Sequence, residues 1–105
     1  MIAELEAKRD EIAAICREFD VLRLEVFGSA SVGPWNPATS DVDFLVTYRP
    51  DWRHDGWMTE HYVLQDRLSE ALGRPVDLVM AKEHFADPYF DASVNASRQA
   101  VYGAA

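Results

Sequence analysis

The sequence has one cysteine, Cys16, which excludes an internal disulfide and any cysteine-rich metal centre. Cys16 falls among apolar positions of the first expected helix and reads as a small buried hydrophobe. Positive charge is also scarce. Ten Lys and Arg stand against eighteen Asp and Glu, leaving a formal charge of −8. That balance leaves no surplus for neutralising a phosphate backbone, so direct nucleic-acid binding is disfavoured. A basic protein partner would suit it better. No apolar run approaches the length of a membrane span, and the opening "MIAELEAKRD" lacks the basic region and apolar block of a signal peptide. The cytoplasm is the expected location.

At 49% hydrophobic and 27% charged residues, the composition is that of a globular protein with one core. The length suits a single domain over residues 1–105. Ile2, Leu5, Ile12, Ile15, Cys16 and Phe19 recur near one side of a helical wheel, which predicts one amphipathic helix over residues 2 to about 19. Leu22 to Phe27 alternate as a strand that Gly28 ends, and a short helix or loop follows. The prolines, Gly33, Trp35 and Asn36 make 33–39 a loop. Asp41 to Tyr48 predicts a strand with Val42, Phe44 and Val46 on one face and Asp41, Asp43 and Leu45 on the other. Trp57, Leu64, Leu68, Ala71 and Leu72 mark a helix stopped by "LGRP". Pro75 to Met80 is a third strand, and Val94, Ser97 and Val101 suggest a last helix from about 89 to 102. Together they predict an α+β fold, a small sheet backed by helices.

The chemistry concentrates in "SDVDFLV" and "RPVDLVM". Carboxylates two apart on a strand share a face, so Asp41 and Asp43 can converge on a divalent ion. Asp77 sits in a second apolar run, where an unpaired carboxylate is costly. If the strands are neighbours, three carboxylates gather and call for a cation; oxygen ligands suit Mg²⁺ or Mn²⁺. In two-metal phosphoryl transfer two carboxylates bridge the ions, the role that fits Asp41 and Asp43, and a third stands by the attacking group, the role that fits Asp77. Gly28 then lets backbone approach a ligand, and the Ser29 hydroxyl and amides can meet phosphate oxygens. Ser40 shapes the strand entry. His54, His61 and His84 lack metal-ligand spacing, and His61 reads as packed beside Trp57 and Leu64. Tyr48, Trp52 and Trp57 read as packing aromatics, and Trp35 as an exposed candidate for partner contact.

"GSASVG…SDVDFLV…VDLV" resembles the minimal nucleotidyltransferase (MNT) domain family of the DNA-polymerase-beta-like superfamily, over nearly the whole chain. The resemblance implies a mixed sheet backed by helices, with ATP as substrate and Mg²⁺ or Mn²⁺ as cofactor. It implies that Gly28 and Ser29 contact the triphosphate, with Ser40 beside them. It implies that Asp41 and Asp43 bind metal and that Asp77 is a metal ligand or the base. Members of this family are often antitoxins paired with a small helical HEPN-type RNase toxin. Some transfer AMP onto a tyrosine of that toxin. The implied alternatives are an antitoxin that acts by binding alone and a transferase acting on a small molecule or an RNA end. Val32 stands where the family usually has Arg, and the loop after Gly33 is about one residue longer and carries Trp35. The loss of that Arg lowers the activity to be expected.

Overall fold

Strand alternation and helical periodicity resolve into nine elements in a computed structural model describing residues 1–52 and 55–103. They run α1 (Ala3–Ala7), α2 (Arg9–Glu18), β1 (Val21–Phe27), α3 (Ser29–Val32), β2 (Val42–Tyr48), α4 (Trp57–Leu72), β3 (Val76–Met80), α5 (Pro88–Ser97) and β4 (Gln99–Tyr102). The strands form one sheet in the order β3-β2-β1-β4. β1 pairs antiparallel with both β2 and β4, while β2 and β3 run parallel. The sheet is therefore mixed, as expected, and the two aspartate-bearing strands are neighbours.

The period of two along β2 sorts its side chains between two layers. Val42, Phe44, Val46 and Tyr48 join Leu24 and Val26 of β1 in the main core, where Ile12, Ile15 and Cys16 of α2 and Leu64 and Leu68 of α4 cover them. Burial pushes the Cys16 thiol up to about 12, in keeping with a packed hydrophobe. On the opposite face Phe27, Leu45 and Val94 of α5 form a smaller cluster bordered by Val79, Ala81 and Phe85. Asp43, two residues before Leu45 on β2, lies on this same face of the sheet.

Two expectations change. The first helix is broken at Lys8, which adopts φ −102° and ψ 10°, so α1 and α2 are two separate helices. The tail is not a helix to residue 102. Arg98 is extended at φ −62° and ψ 134°, and the chain returns along β1 as β4. A long-range anchor holds the turn: the Arg98 Nε and Nη2 atoms donate to the two Glu25 oxygens at 2.8 and 2.7 Å. Glu25 is 8% exposed. The Arg98 hydrogen bond leads the causes that hold its carboxyl below the usual range, against an opposing effect of burial. Arg98→Met removes the bidentate partner and leaves Glu25 facing Arg23, whose Nε lies 3.2 Å from Oε1, and a loss of about 2 kcal/mol is expected, since breaking a fully buried pair costs roughly 3 to 5 and Arg23 offsets part of it. Glu25's folded value lies below its unfolded one, so the pair's contribution is complete above about pH 4.5 and fades as pH falls below it. Urea titrations should show the gap between wild type and variant shrinking only in that acid range.

The outer edge of β3 is held by side chains of α4. The Leu78 amide donates to Gln65 Oε1 at 3.0 Å, and His61 Nε2 meets the Leu78 carbonyl at 3.1 Å. A carbonyl only accepts, so Nε2 carries the hydrogen. His61 Nδ1 meets the Tyr48 hydroxyl at 2.8 Å. His61 is thus a packed residue, as expected, and Tyr48 stacks on Trp52 at 3.7 Å inside the core. His54 lies outside the described residues. Among those described, no helix is long and apolar enough to cross a membrane.

Candidate active site

Parallel register places Asp43 directly beside Asp77, with backbones about 4.8 Å apart across the ladder. Both therefore project from the same face. Asp43 is also the register partner of Phe27, the residue before Gly28. Asp41 is exposed one residue before β2, and Asp77 is exposed on β3; Asp43 is half-buried between them. Burial first, then the charges of Asp77 and Asp41, push the Asp43 carboxyl up to about 6. Asp43 thus feels both of the other carboxylates.

Among the described residues, no three His, Cys, Asp or Glu side chains converge as a complete ligand set for an ion. The donor chemistry still fits a hard divalent cation, because crowded carboxylate oxygens are what such an ion binds. Asp41, Asp43 and Asp77 are the residues that could hold the metal.

The Gly-Ser step lies against this group. Gly28 has φ +71° and ψ −148°, a region that residues with a Cβ avoid. A Cβ added there would stand 3.1 Å from Asp43 Oδ2. Glycine is needed for both reasons. The Gly28 amide itself is committed, donating to Ser97 Oγ at 2.9 Å. Ser31 Oγ donates to the Ser97 carbonyl, and Gln99 Nε2 donates to Ser31 Oγ at 2.6 Å. The α5–β4 corner therefore grips α3 through buried hydroxyls. The Ser31 and Val32 amides close α3 on the Gly28 carbonyl at 3.0 and 3.1 Å. Among the described residues, the Ser29 and Ala30 amides make no hydrogen bond to the protein. Val32, at the family's Arg position, is 64% exposed.

Ser40 stays within its loop: its Oγ accepts from the Asn36 amide at 3.2 Å and its amide donates to the Asn36 carbonyl at 2.8 Å. It shapes the strand entry. Trp35 differs from expectation, being half-buried, packed against the core and covered by Arg74. Ser97, Gln99 and Arg74 escaped sequence reasoning because their roles exist only across tertiary contacts.

The model of the family described as "Nucleotidyltransferase domain" matches residues 9–101. The chain belongs to the nucleotidyltransferase domain family. Membership implies a fold with the capacity to bind a nucleotide. Among solved structures, a minimal nucleotidyltransferase is 27% identical, with a TM-score of 0.68 and 90% of each chain covered. A toxin–antitoxin complex with AMP-PNP is similar at 23% identity and TM-score 0.67, covering 91% of this chain and 73% of that one. A tri-AMPylated HEPN toxin in complex with its MNT antitoxin, from Shewanella oneidensis, is similar at 20% identity and TM-score 0.63, covering 95% and 73%. The last two share the nucleotidyltransferase fold with this chain. No curated protein matches it significantly.

Proposed function

We propose that the 105 residues act as one domain, a Mg²⁺- or Mn²⁺-dependent nucleotidyltransferase that transfers AMP from ATP to a hydroxyl. The acceptor is a tyrosine of a small helical HEPN-type toxin, which makes this chain a cytoplasmic antitoxin. The carrying observation is Asp43, paired in register with Asp77 and set against the Cβ-free backbone of Gly28. The solved relatives in complex with AMP-PNP or with an AMPylated HEPN toxin support the choice of nucleotide and partner. The acidic charge favours a protein acceptor over a nucleic acid.

In this reaction the acceptor oxygen forms a bond to the α-phosphorus, the bond to the β-phosphate's bridging oxygen breaks, and pyrophosphate leaves. Asp41 and Asp43 hold the divalent ions. When bound, these supply charge neutralisation and a lowered pKa for the attacking hydroxyl. Asp77 serves as a metal ligand or takes the proton of the incoming hydroxyl. Ser29 and the amides of Ser29 and Ala30 meet the phosphate oxygens, since the Gly28 amide is already given to Ser97. Gly28 contributes the missing Cβ, and Ser40 holds the approach to Asp41.

A second reading, neutralisation by binding alone, is favoured by one observation: α3 exposes Val32 where a cation would hold phosphate. The two separate in one experiment. The protein is incubated with Mg²⁺, ATP labelled on the α-phosphate, and the product of the neighbouring gene. Label on that partner, lost when Asp41 and Asp43 both become Ala, is the expected result. Neutralisation of the partner that survives the double substitution overturns the enzyme in favour of binding. Label on RNA alone points to the RNA-end reaction.

A further inference from the structure

Arg74 lies outside the carboxylate group, yet it joins three segments. Its Nε and Nη2 atoms donate to the two oxygens of Glu4 in α1, at 2.9 and 3.1 Å. Its Nη1 atom donates to the Pro37 carbonyl at 3.0 Å. The guanidinium also lies over the Trp35 ring, 5.0 Å from its centre. A fork bidentate to a carboxylate, stacked on an indole and bonded to a carbonyl leaves little freedom for any of them.

Pro37 and Trp35 belong to the segment that delivers Asp41. That segment closes on itself, with the Thr39 and Ser40 amides donating to the Asn36 carbonyl and the Ala38 amide to Asn36 Oδ1 at 3.0 Å. Just past it the Val42 amide donates to the carbonyl of Pro75, the neighbour of Arg74, at 3.1 Å. Asp41 is thus suspended between two attachments to the 74–75 corner. On one side is the Arg74 guanidinium and on the other the first rung of the β2–β3 ladder. The α1 segment, which precedes the stretch matched by the family, braces the corner from behind through Glu4. Its Ile2 amide also donates to the Ala30 carbonyl of α3 at 2.8 Å.

We infer that Arg74, held by Glu4, is a positioning residue for Asp41: it fixes the 33–40 loop so that the Asp41 carboxylate can join Asp43 and Asp77 around a divalent ion. This rests on the proposed metal-dependent reaction. It is tested by a readout that needs no turnover: Mn²⁺ affinity of the full chain, measured by electron paramagnetic resonance without nucleotide. Arg74→Met is expected to raise the Mn²⁺ dissociation constant about tenfold, and Arg74→Lys, which keeps charge but loses the fork, about threefold. Glu4→Gln, at a half-exposed position, guards against simple unfolding and should weaken Mn²⁺ binding about threefold with an unchanged melting point. In transfer assays the same variants should need more Mg²⁺ for half-maximal rate yet approach the wild-type kcat at saturation. Unchanged Mn²⁺ affinity in folded Arg74→Met and Glu4→Gln overturns the inference. Arg74-dependent Mn²⁺ binding by a wild type that transfers no label upholds it and removes the transfer reaction instead.

Discussion

Asp43→Asn should lower nucleotidyl transfer by about 10³-fold, equivalent to roughly 4 kcal/mol of transition-state stabilisation, while making the metal-free protein more stable. The first effect follows from its place as the central carboxylate, opposite Asp77 of the neighbouring strand and two residues from Asp41. The second follows from the same crowding. Burial and two neighbouring charges push its carboxyl from 3.8 to about 6, so the native state resists ionisation there. The folded value lies above the unfolded one. The native state therefore holds the proton more tightly, and stability falls as pH rises from about 4 through 6. The full shift would correspond to roughly 3 kcal/mol, but a half-exposed carboxyl is screened by solvent and about 1 kcal/mol is the expected gain. For a chain of this size that raises the melting temperature by about 4 °C near pH 8 in a chelator, with no gain near pH 4. Added Mg²⁺ with ATP should reverse the order, stabilising the wild type more than the variant. A gain that persists at pH 4, or a variant that keeps its transfer rate, would contradict the assignment of Asp43.

Gly28→Ala should cost both stability and activity. The residue holds φ +71° in a region costly to residues with a Cβ, which predicts a loss of about 2 kcal/mol on unfolding. The added carbon also meets Asp43 Oδ2 at 3.1 Å, so the carboxylate must give by a few tenths of an ångström and transfer should fall about tenfold. Gly56→Ala separates the two consequences. Gly56 also has a positive φ, +84°, but a Cβ there meets nothing within 4 Å. It should lose about 1 kcal/mol and keep the wild-type rate. Equal rates for the two variants would show that the approach of Gly28 to Asp43 does not matter to the reaction.

The sequence was most legible where one local period decides the outcome. β2 and β3 announce themselves by alternating apolar residues, and α4 by a stripe ending in Gly73. The Asp41–Asp43 pair could be read because the spacing of two is itself geometry. The adjacency of Asp77 needed the sheet order, which no local pattern carries. β4 was hidden because Val94, Ser97 and Val101 also fit helical spacing. No Gly or Pro marks the break at Arg98; the Glu25 carboxylate, seventy-three positions earlier, holds it. The break at Lys8 is similar, since the α1 segment it separates is held by Arg74 and α3. Trp35 looked exposed because its cover comes from a residue thirty-nine positions later.

The α4 side chains that occupy Leu78 have a consequence for assembly. Strand-to-strand growth of copies into a filament requires two free margins on each sheet. Gln65 and His61 fill the middle of the β3 margin with the hydrogen bonds that an incoming backbone would need. Among the described residues, a strand arriving at the β3 margin must first displace these two side chains, which opposes growth of the sheet through that side.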